Sequence, residues 1–154
     1  MSTVKKYMMR TLVSVCEDDI LEDVIKVMYK SEMSVLPVVD SENKFLGTIY
    51  SKNILKNIIP EKFGFLDSKQ LLYEINHAAE NLSDIKGRKV SEYMSTKTMA
   101  VSEEDKMYKI ADIMLDNKES ILFVVNERGN LRGYISRADI LYYLLAVAKE
   151  EETD

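Results

Sequence analysis

Two residues three positions apart, Ser136 and Asp139 in the stretch "GYISRADIL" (133–141), carry the most suggestive chemistry in the chain. A hydroxyl and a carboxylate at this spacing, ahead of an apolar run, form a capping box. The serine oxygen accepts the Asp139 N–H, and the carboxylate accepts the Ser136 N–H. The same groups can grip a nucleotide. The carboxylate oxygens of Asp139 can accept from the two hydroxyls of a ribose. Ser136 and the free N–H groups of a first helical turn can meet phosphate, which the helix dipole favours. Residue chemistry alone favours the cap, and the two roles are compatible. Arg137 follows Ser136 directly and is the best placed cation for a phosphate. Arg128 and Arg132 lie nearby, so three of the five arginines cluster here. A solvated arginine is the ordinary expectation for each, and Arg128 reads as a turn residue.

Little other chemistry is open to the chain. It has 154 residues with one histidine, His77, and one cysteine, Cys16. No transition-metal cluster of the usual ligands and no Ser-His-Asp or Cys-His pairing can be drawn from them. His77 sits in a helical stretch and is expected to face solvent. A glycine-rich phosphate loop is absent, and an enzyme is not the expected reading. With 46% apolar and 31% charged residues the chain is globular in composition. A net charge of -5 argues against nucleic acid as a partner, because polyanion binding needs a basic face. No run approaches the roughly 18 apolar residues of a membrane span, and the start lacks the apolar region of a secretory signal. A cytoplasmic location is expected.

The elements that position Ser136 and Asp139 belong to a repeat with a constant offset of 86 residues. Tyr7-Met8 falls on Tyr93-Met94, Val15 on Val101, and Glu17 and Asp19 on Glu103 and Asp105. Met28 meets Met114, Ser34 meets Ser120, Leu36 meets Leu122, and Val38-Val39 meet Val124-Val125. Gly47, Ile49 and Ile54-Leu55 fall on Gly133, Ile135 and Ile140-Leu141, without a gap across residues 4 to 59. Each copy begins with an extended piece, "TLVSV" or "TMAVS". An amphipathic helix follows, with Leu21, Val24, Ile25 and Met28, or Met107, Ile110, Ala111 and Met114, at i, i+3, i+4, i+7. Ser102 and Asp105 are expected to cap the second of these helices, and Cys16 takes the serine's place in the first copy. Two strands joined by short turns at 41–43 and 127–129 come next, then a closing helix. The predicted order is β-α-β-β-α, twice. Residues 1–59 and 89–148 form the two copies. An insert, 60–88, is too long for a plain loop and predicts an extra helix. An acidic tail, 149–154, is expected to fray.

The "YM" openings, the helix beginning "EDDILEDVIKVM", the strand "SVLPVVD" and the closing Gly-h-h-Ser-x-x-Asp resemble a tandem pair of CBS domains, named for cystathionine beta-synthase. The resemblance spans the chain apart from the insert. It implies an α+β fold of two β-α-β-β-α repeats packed sheet to sheet, with clefts between them and an inserted helix. Such pairs commonly bind adenosine-containing ligands and form flat homodimers. Carried onto this chain, the resemblance places a ribose on Asp139, phosphate near Ser136 and Arg137, and adenine against Thr98, Met99, Ala100, Ile121, Leu122 and Ile135. For Met99, Ile121 and Leu122 plain core is the competing expectation.

The first copy departs from this pattern. Tyr50 and Asn53 stand where Ser136 and Asp139 stand in the second, with Leu12, Val13 and Ser14 in the adenine segment. Ser51 can still cap the helix, but an amide grips a diol less strongly than a carboxylate. One good site per chain is therefore expected, with the first copy's site weaker. The expected function is regulation by an adenine nucleotide (AMP, ADP or ATP), read out as a change in packing, with no required cofactor. The alternatives are S-adenosylmethionine, a di-adenosine nucleotide, or a ligand-free dimerising scaffold for an unidentified regulated protein. Leu141, Leu144, Leu145 and Val147 on the closing helix are candidates for a homodimer contact, unless the inserted helix covers them.

Overall fold

The computed structural model describes residues 2–10, 13–59, 68–97, 100–117 and 119–153. Its elements run α1 (Val4–Tyr7), β1 (Val15–Cys16), α2 (Leu21–Ser31), β2 (Val35–Val39), β3 (Phe45–Tyr50), α3 (Ser51–Ile58) and α4 (Ser68–Ile85). A 3-10 turn (Val90–Glu92) leads to β4 (Ala100–Ser102), α5 (Met107–Asn117), β5 (Ile121–Val125), β6 (Leu131–Ser136) and α6 (Arg137–Thr153). The predicted β-α-β-β-α order is present twice, and the insert contains a helix, α4. Two three-stranded sheets result, β1-β2-β3 and β4-β5-β6. In the second, β4 runs parallel to β5 and β5 antiparallel to β6.

Equivalent residues make equivalent local bonds. At the hairpin turns Asp40 Oδ1 accepts the N–H groups of Glu42 and Lys44 at 2.8 and 2.9 Å, while Asn126 Oδ1 accepts those of Arg128 and Asn130 at 3.0 and 2.9 Å. Both are side-chain-closed turns of the kind Asp and Asn favour. Each turn needs one left-handed residue, Asn43 at φ 64° and Gly129 at φ 82°. A Cβ on Gly129 would touch nothing, so Gly129→Ala isolates the backbone strain. Urea denaturation is expected to show a loss of about 1 kcal/mol.

Ser102 and Asp105 do not cap α5. The Asp105 carboxylate instead accepts the Ser102 N–H at 2.9 Å, closing a turn that ends before Met107. Asp19 does the same for Cys16 at 2.8 Å. Helix α6 runs into the acidic tail as far as Thr153. Lys and Glu are good helix formers and no Gly or Pro interrupts them.

The chain divides into two compact units. One holds Met1–Leu12, Val39–Phe45 and Thr98–Asp154, and the other Val13–Val38 and Leu46–Lys97. They are termed the second-repeat and first-repeat units after the sheet each contains. Each unit takes its leading segment from the other copy of the repeat. In the second-repeat unit Val4 and Met8 lie in a core with Met107, Ile110, Leu122, Val124 and Ile135. The Val4 N–H donates to Asp105 O at 2.8 Å, Met107 N–H to Ser2 O at 3.1 Å, and Met9 and Tyr134 exchange backbone bonds of 2.8 and 2.9 Å. In the first-repeat unit Val90 lies in the core with Leu21, Val24, Leu36 and Ile49. Val90 N–H donates to Asp19 O at 2.8 Å, and Thr48 and Ser95 exchange bonds of 2.9 and 2.7 Å. The equivalence again holds at an offset of 86.

Helix α4 belongs to the first-repeat unit. Ala78 is buried, Leu82 and Ile85 pack on the core, and Asn81 Nδ2 donates to Ile58 O at 3.2 Å. His77 is half exposed and stacks on Tyr73, as expected of a surface residue. Among the described residues no helix is long and apolar enough to cross a membrane.

Candidate functional site

The junction of β6 and α6 lies at one end of the second sheet. Register pairs Ile121 with Ser136 and Leu122 with Ile135, and the Arg137 N–H donates to Ser120 O at 3.4 Å. The start of β4 shares this end, because Ala100 pairs with Phe123 in parallel. Ala100, Ile121, Ser136 and Asp139 are thus gathered by adjacent strands and one helix start. Thr98 and Met99 lie outside the described residues.

At this junction the capping box is formed. The Ser136 N–H donates to Asp139 Oδ2 at 2.8 Å, and the Ser136 hydroxyl donates to the same oxygen at 3.0 Å. Asp139 N–H approaches Ser136 Oγ at 3.4 Å, a long reciprocal bond. Asp139 is only 5% exposed. A carboxylate at that depth needs donors, and the first turn of a helix supplies them together with a favourable dipole. Both Ser136 bonds end on Oδ2, so the box itself does not use Oδ1.

The neighbouring side chains divide by strand alternation. Leu122 and Ile135 are buried members of the core, so they can serve a ligand only through backbone groups. Ile121 and Ala100 are half-buried and belong to the other alternation, so their side chains do not join that core. Among the arginines, Arg132 pairs with Glu103 at 3.3 Å, and Arg128 lies in the hairpin turn, as its position suggested. Arg137 is exposed and lines an apolar groove between α5 and α6. The Glu103 pairing of Arg132 was not legible in the sequence, since the two residues are far apart in the chain.

The first copy's junction is built differently. Residue Tyr50 is the N-cap of α3, no side chain caps the helix, and Ser51 is already its first residue. The expected Ser51 cap is therefore absent, because the helix starts one residue too early for it. Tyr50 is half-buried with the Lys52 ammonium 5.3 Å from its ring centre. Asn53 is half-buried, and its backbone carbonyl accepts from Asn57 at 2.7 Å. Val13 and Ser14 are exposed, and Leu12 lies outside the described residues. Among the described residues no group of acidic, histidine or cysteine side chains could hold a metal ion.

Comparison with known proteins adds the family. The chain is 28% identical over 151 residues to MJ1426 of Methanocaldococcus jannaschii, covering 91% of this chain and 90% of that one. The crystal structure of MJ1225 from the same organism, proposed as an archaeal homologue of γ-AMPK, is 28% identical with a TM-score of 0.73. It covers 93% of this chain, which spans 48% of its length. CBSX2, a CBS-pair protein of Arabidopsis thaliana, has been solved in complex with AMP. That complex is 20% identical with a TM-score of 0.70, covering 96% of this chain and 99% of that one. The family model for the CBS domain matches residues 4–60 and again 90–146, and the chain belongs to that family as a tandem pair.

Proposed function

We propose that this protein is a regulatory module that binds an adenine nucleotide at the β6–α6 junction. Asp139 meets the ribose hydroxyls, Ser136 and the first turn of α6 meet the phosphate, and Ala100 and Ile121 flank the purine. The observation that carries the reading is the buried Asp139 carboxylate, fixed in orientation by two bonds to a single oxygen. A diol acceptor held by its own helix start loses little entropy when ligand arrives. The AMP complex of CBSX2 and the γ-AMPK relationship proposed for MJ1225 point to the same ligand class. Regulation follows if nucleotide changes the packing around α6, which it does only by binding one arrangement better than another. The first copy's junction, without a capping box or carboxylate, is the weaker site. The working form is a homodimer, because large apolar side chains of α6 remain exposed.

One observation favours a second reading. A completed capping box is also all that a ligand-free dimerising scaffold needs from Ser136 and Asp139. Thermal shift against AMP, ADP, ATP, S-adenosylmethionine and a di-adenosine nucleotide separates the two. A nucleotide at about a hundred times its Kd stabilises the folded state by about 2.7 kcal/mol, a shift of several degrees. AMP, ADP or ATP is expected to produce it. No shift with any compound, in protein shown by mass spectrometry to carry no nucleotide, leaves the scaffold. A shift with S-adenosylmethionine or the di-adenosine nucleotide alone replaces the ligand assignment.

A further inference from the structure

We infer that the tip of the β2–β3 hairpin carries nucleotide occupancy at the β6–α6 junction into the first repeat, through Phe45 seated on Phe123. This rests on the adenine-nucleotide reading and adds the route by which binding is felt beyond the site.

The hairpin belongs to two units. Its tip, Val39–Phe45, lies in the second-repeat unit, while Val38 and the run from Leu46 to Tyr50 lie in the first-repeat unit. The tip is bonded to the turn that precedes β6. Phe45 N–H donates to Gly129 O at 3.0 Å, and Leu131 N–H to Asn43 O at 3.0 Å. Side chains add a second pair. Asn43 Nδ2 donates to Leu131 O at 3.1 Å, and Asn130 Nδ2 to Glu42 O at 2.9 Å. The two asparagines thus clasp the turn of one copy to the turn of the other.

Phe45 follows this clasp. Its ring lies against that of Phe123, with centres 5.8 Å apart and planes tilted by 44°. Phe123 is 1% exposed, yet it takes no part in the core that holds Leu122 and Val124. Alternation puts it on the opposite face of β5, with Ile121, and register sets Ala100 beside it. Ala100 and Ile121 are the residues proposed to flank the purine. A lifted tip would strip Phe123 of its ring partner on the face that receives the base. Nucleotide therefore binds the seated arrangement better than the lifted one. By linkage it tightens the tip as much as the tip tightens it.

The aromatic pair is one-sided. At the offset of 86, Pro37 and Leu131 stand where Phe123 and Phe45 stand. The repeat that carries Asp139 is also the one that carries Phe123. Beyond the tip the strands are anchored, since Leu36, Val38 and Ile49 lie in the first-repeat core. Strand β3 runs on to Tyr50, the N-cap of α3. A tip held more firmly restrains these strands and the helix start that follows them.

Hydrogen–deuterium exchange by mass spectrometry on the full chain, with and without AMP, ADP or ATP, tests this. In the wild type, nucleotide is expected to slow exchange over 46–58 about fivefold or more, as well as over 133–141. Phe45→Ala, and separately Asn43→Gly with Asn130→Ala, should bind more weakly. At equal occupancy, set by isothermal titration, they should lose the slowing over 46–58 and keep it over 133–141. Glycine suits position 43 because that residue is left-handed, at φ 64°, so only the side-chain donor is removed. Asn81→Ala removes a bond of α4 and loosens the first-repeat unit elsewhere, so it should keep the whole response. Slowing over 46–58 that persists in the tip variants, or is lost in Asn81→Ala, overturns the route. So does slowing there in Asp139→Asn at a concentration that leaves its own junction empty, because it comes from nucleotide at the first copy. A wild type that binds nucleotide with no slowing over 46–58 overturns the inference and leaves the nucleotide reading standing. No binding of any of the three overturns both.

Discussion

Asp139→Ala is expected to lose adenine-nucleotide binding and part of the second-repeat unit's stability in one step. The stability loss follows from the capping box. Removing the carboxylate strips the Ser136 N–H and hydroxyl of their partner at a site where Asp139 is 5% exposed. A lost cap costs ~1 kcal/mol, and a donor left unsatisfied at such depth costs ~1–3 kcal/mol. About 2 kcal/mol in urea denaturation is the expected total. The binding loss has a different origin. A hydrogen bond to a charged acceptor contributes about 1.5–3 kcal/mol, so losing the ribose contact lowers affinity by at least about tenfold. Asp139→Asn separates the two effects, since its carbonyl oxygen can still accept from Ser136 while the charge is gone. Isothermal titration of the asparagine variant with AMP should show the affinity loss with most of the stability retained. Wild-type affinity in that variant would reduce Asp139 to a helix cap.

Gly133→Ala is expected to be among the most damaging single methyl groups that can be added to the chain. A Cβ at Gly133 would run into the backbone carbonyl of Met9, with the Arg10 Cα close behind. Both backbones are fixed there by the reciprocal Met9–Tyr134 bonds, so neither side can yield as a side chain would. Overpacking in cores costs ~1–3 kcal/mol, and a backbone obstacle places this variant at or above about 3 kcal/mol. Gly47→Ala meets the Ser95 carbonyl in the same way and should behave alike in the first-repeat unit. Gly87→Ala is the control, because nothing lies within reach of its Cβ, and its stability should change by less than ~1 kcal/mol. Equal melting of the Gly133 and Gly87 variants would rule out the close approach.

The order of elements was legible because periodicity and turn chemistry are local. Leu21, Val24 and Met28 declare a helix face, and the offset of 86 doubled the signal by repeating it. The Ser136–Asp139 pair was legible for the same reason, since its geometry depends on three residues of chain. What was illegible depends on distant partners or on a single residue of register. Ser51 misses its cap because α3 begins at Ser51 itself. The burial of Leu122 and Ile135, against the half-exposure of Ile121, follows from which face of the strand meets the core. An 86-residue offset states that Val4 corresponds to Val90, but not that each packs into the core of the other repeat. Two solutions, each repeat with its own leading segment or with its neighbour's, satisfy the same apolar pattern.

The exchange of leading segments also orders events in time. Val4 and Tyr7 are synthesised well before their neighbours Ile135, Ile140 and Tyr143, which belong to the second copy. The first-repeat core waits for Val90, well after its own last strand has left the ribosome. Neither half is completed while only the first copy has emerged, so the stretch that was duplicated is not the stretch that folds. Contacts this far apart in sequence slow folding. They also mean that a cut between the two copies would leave each fragment without a strand partner and a core valine, which only the other fragment carries.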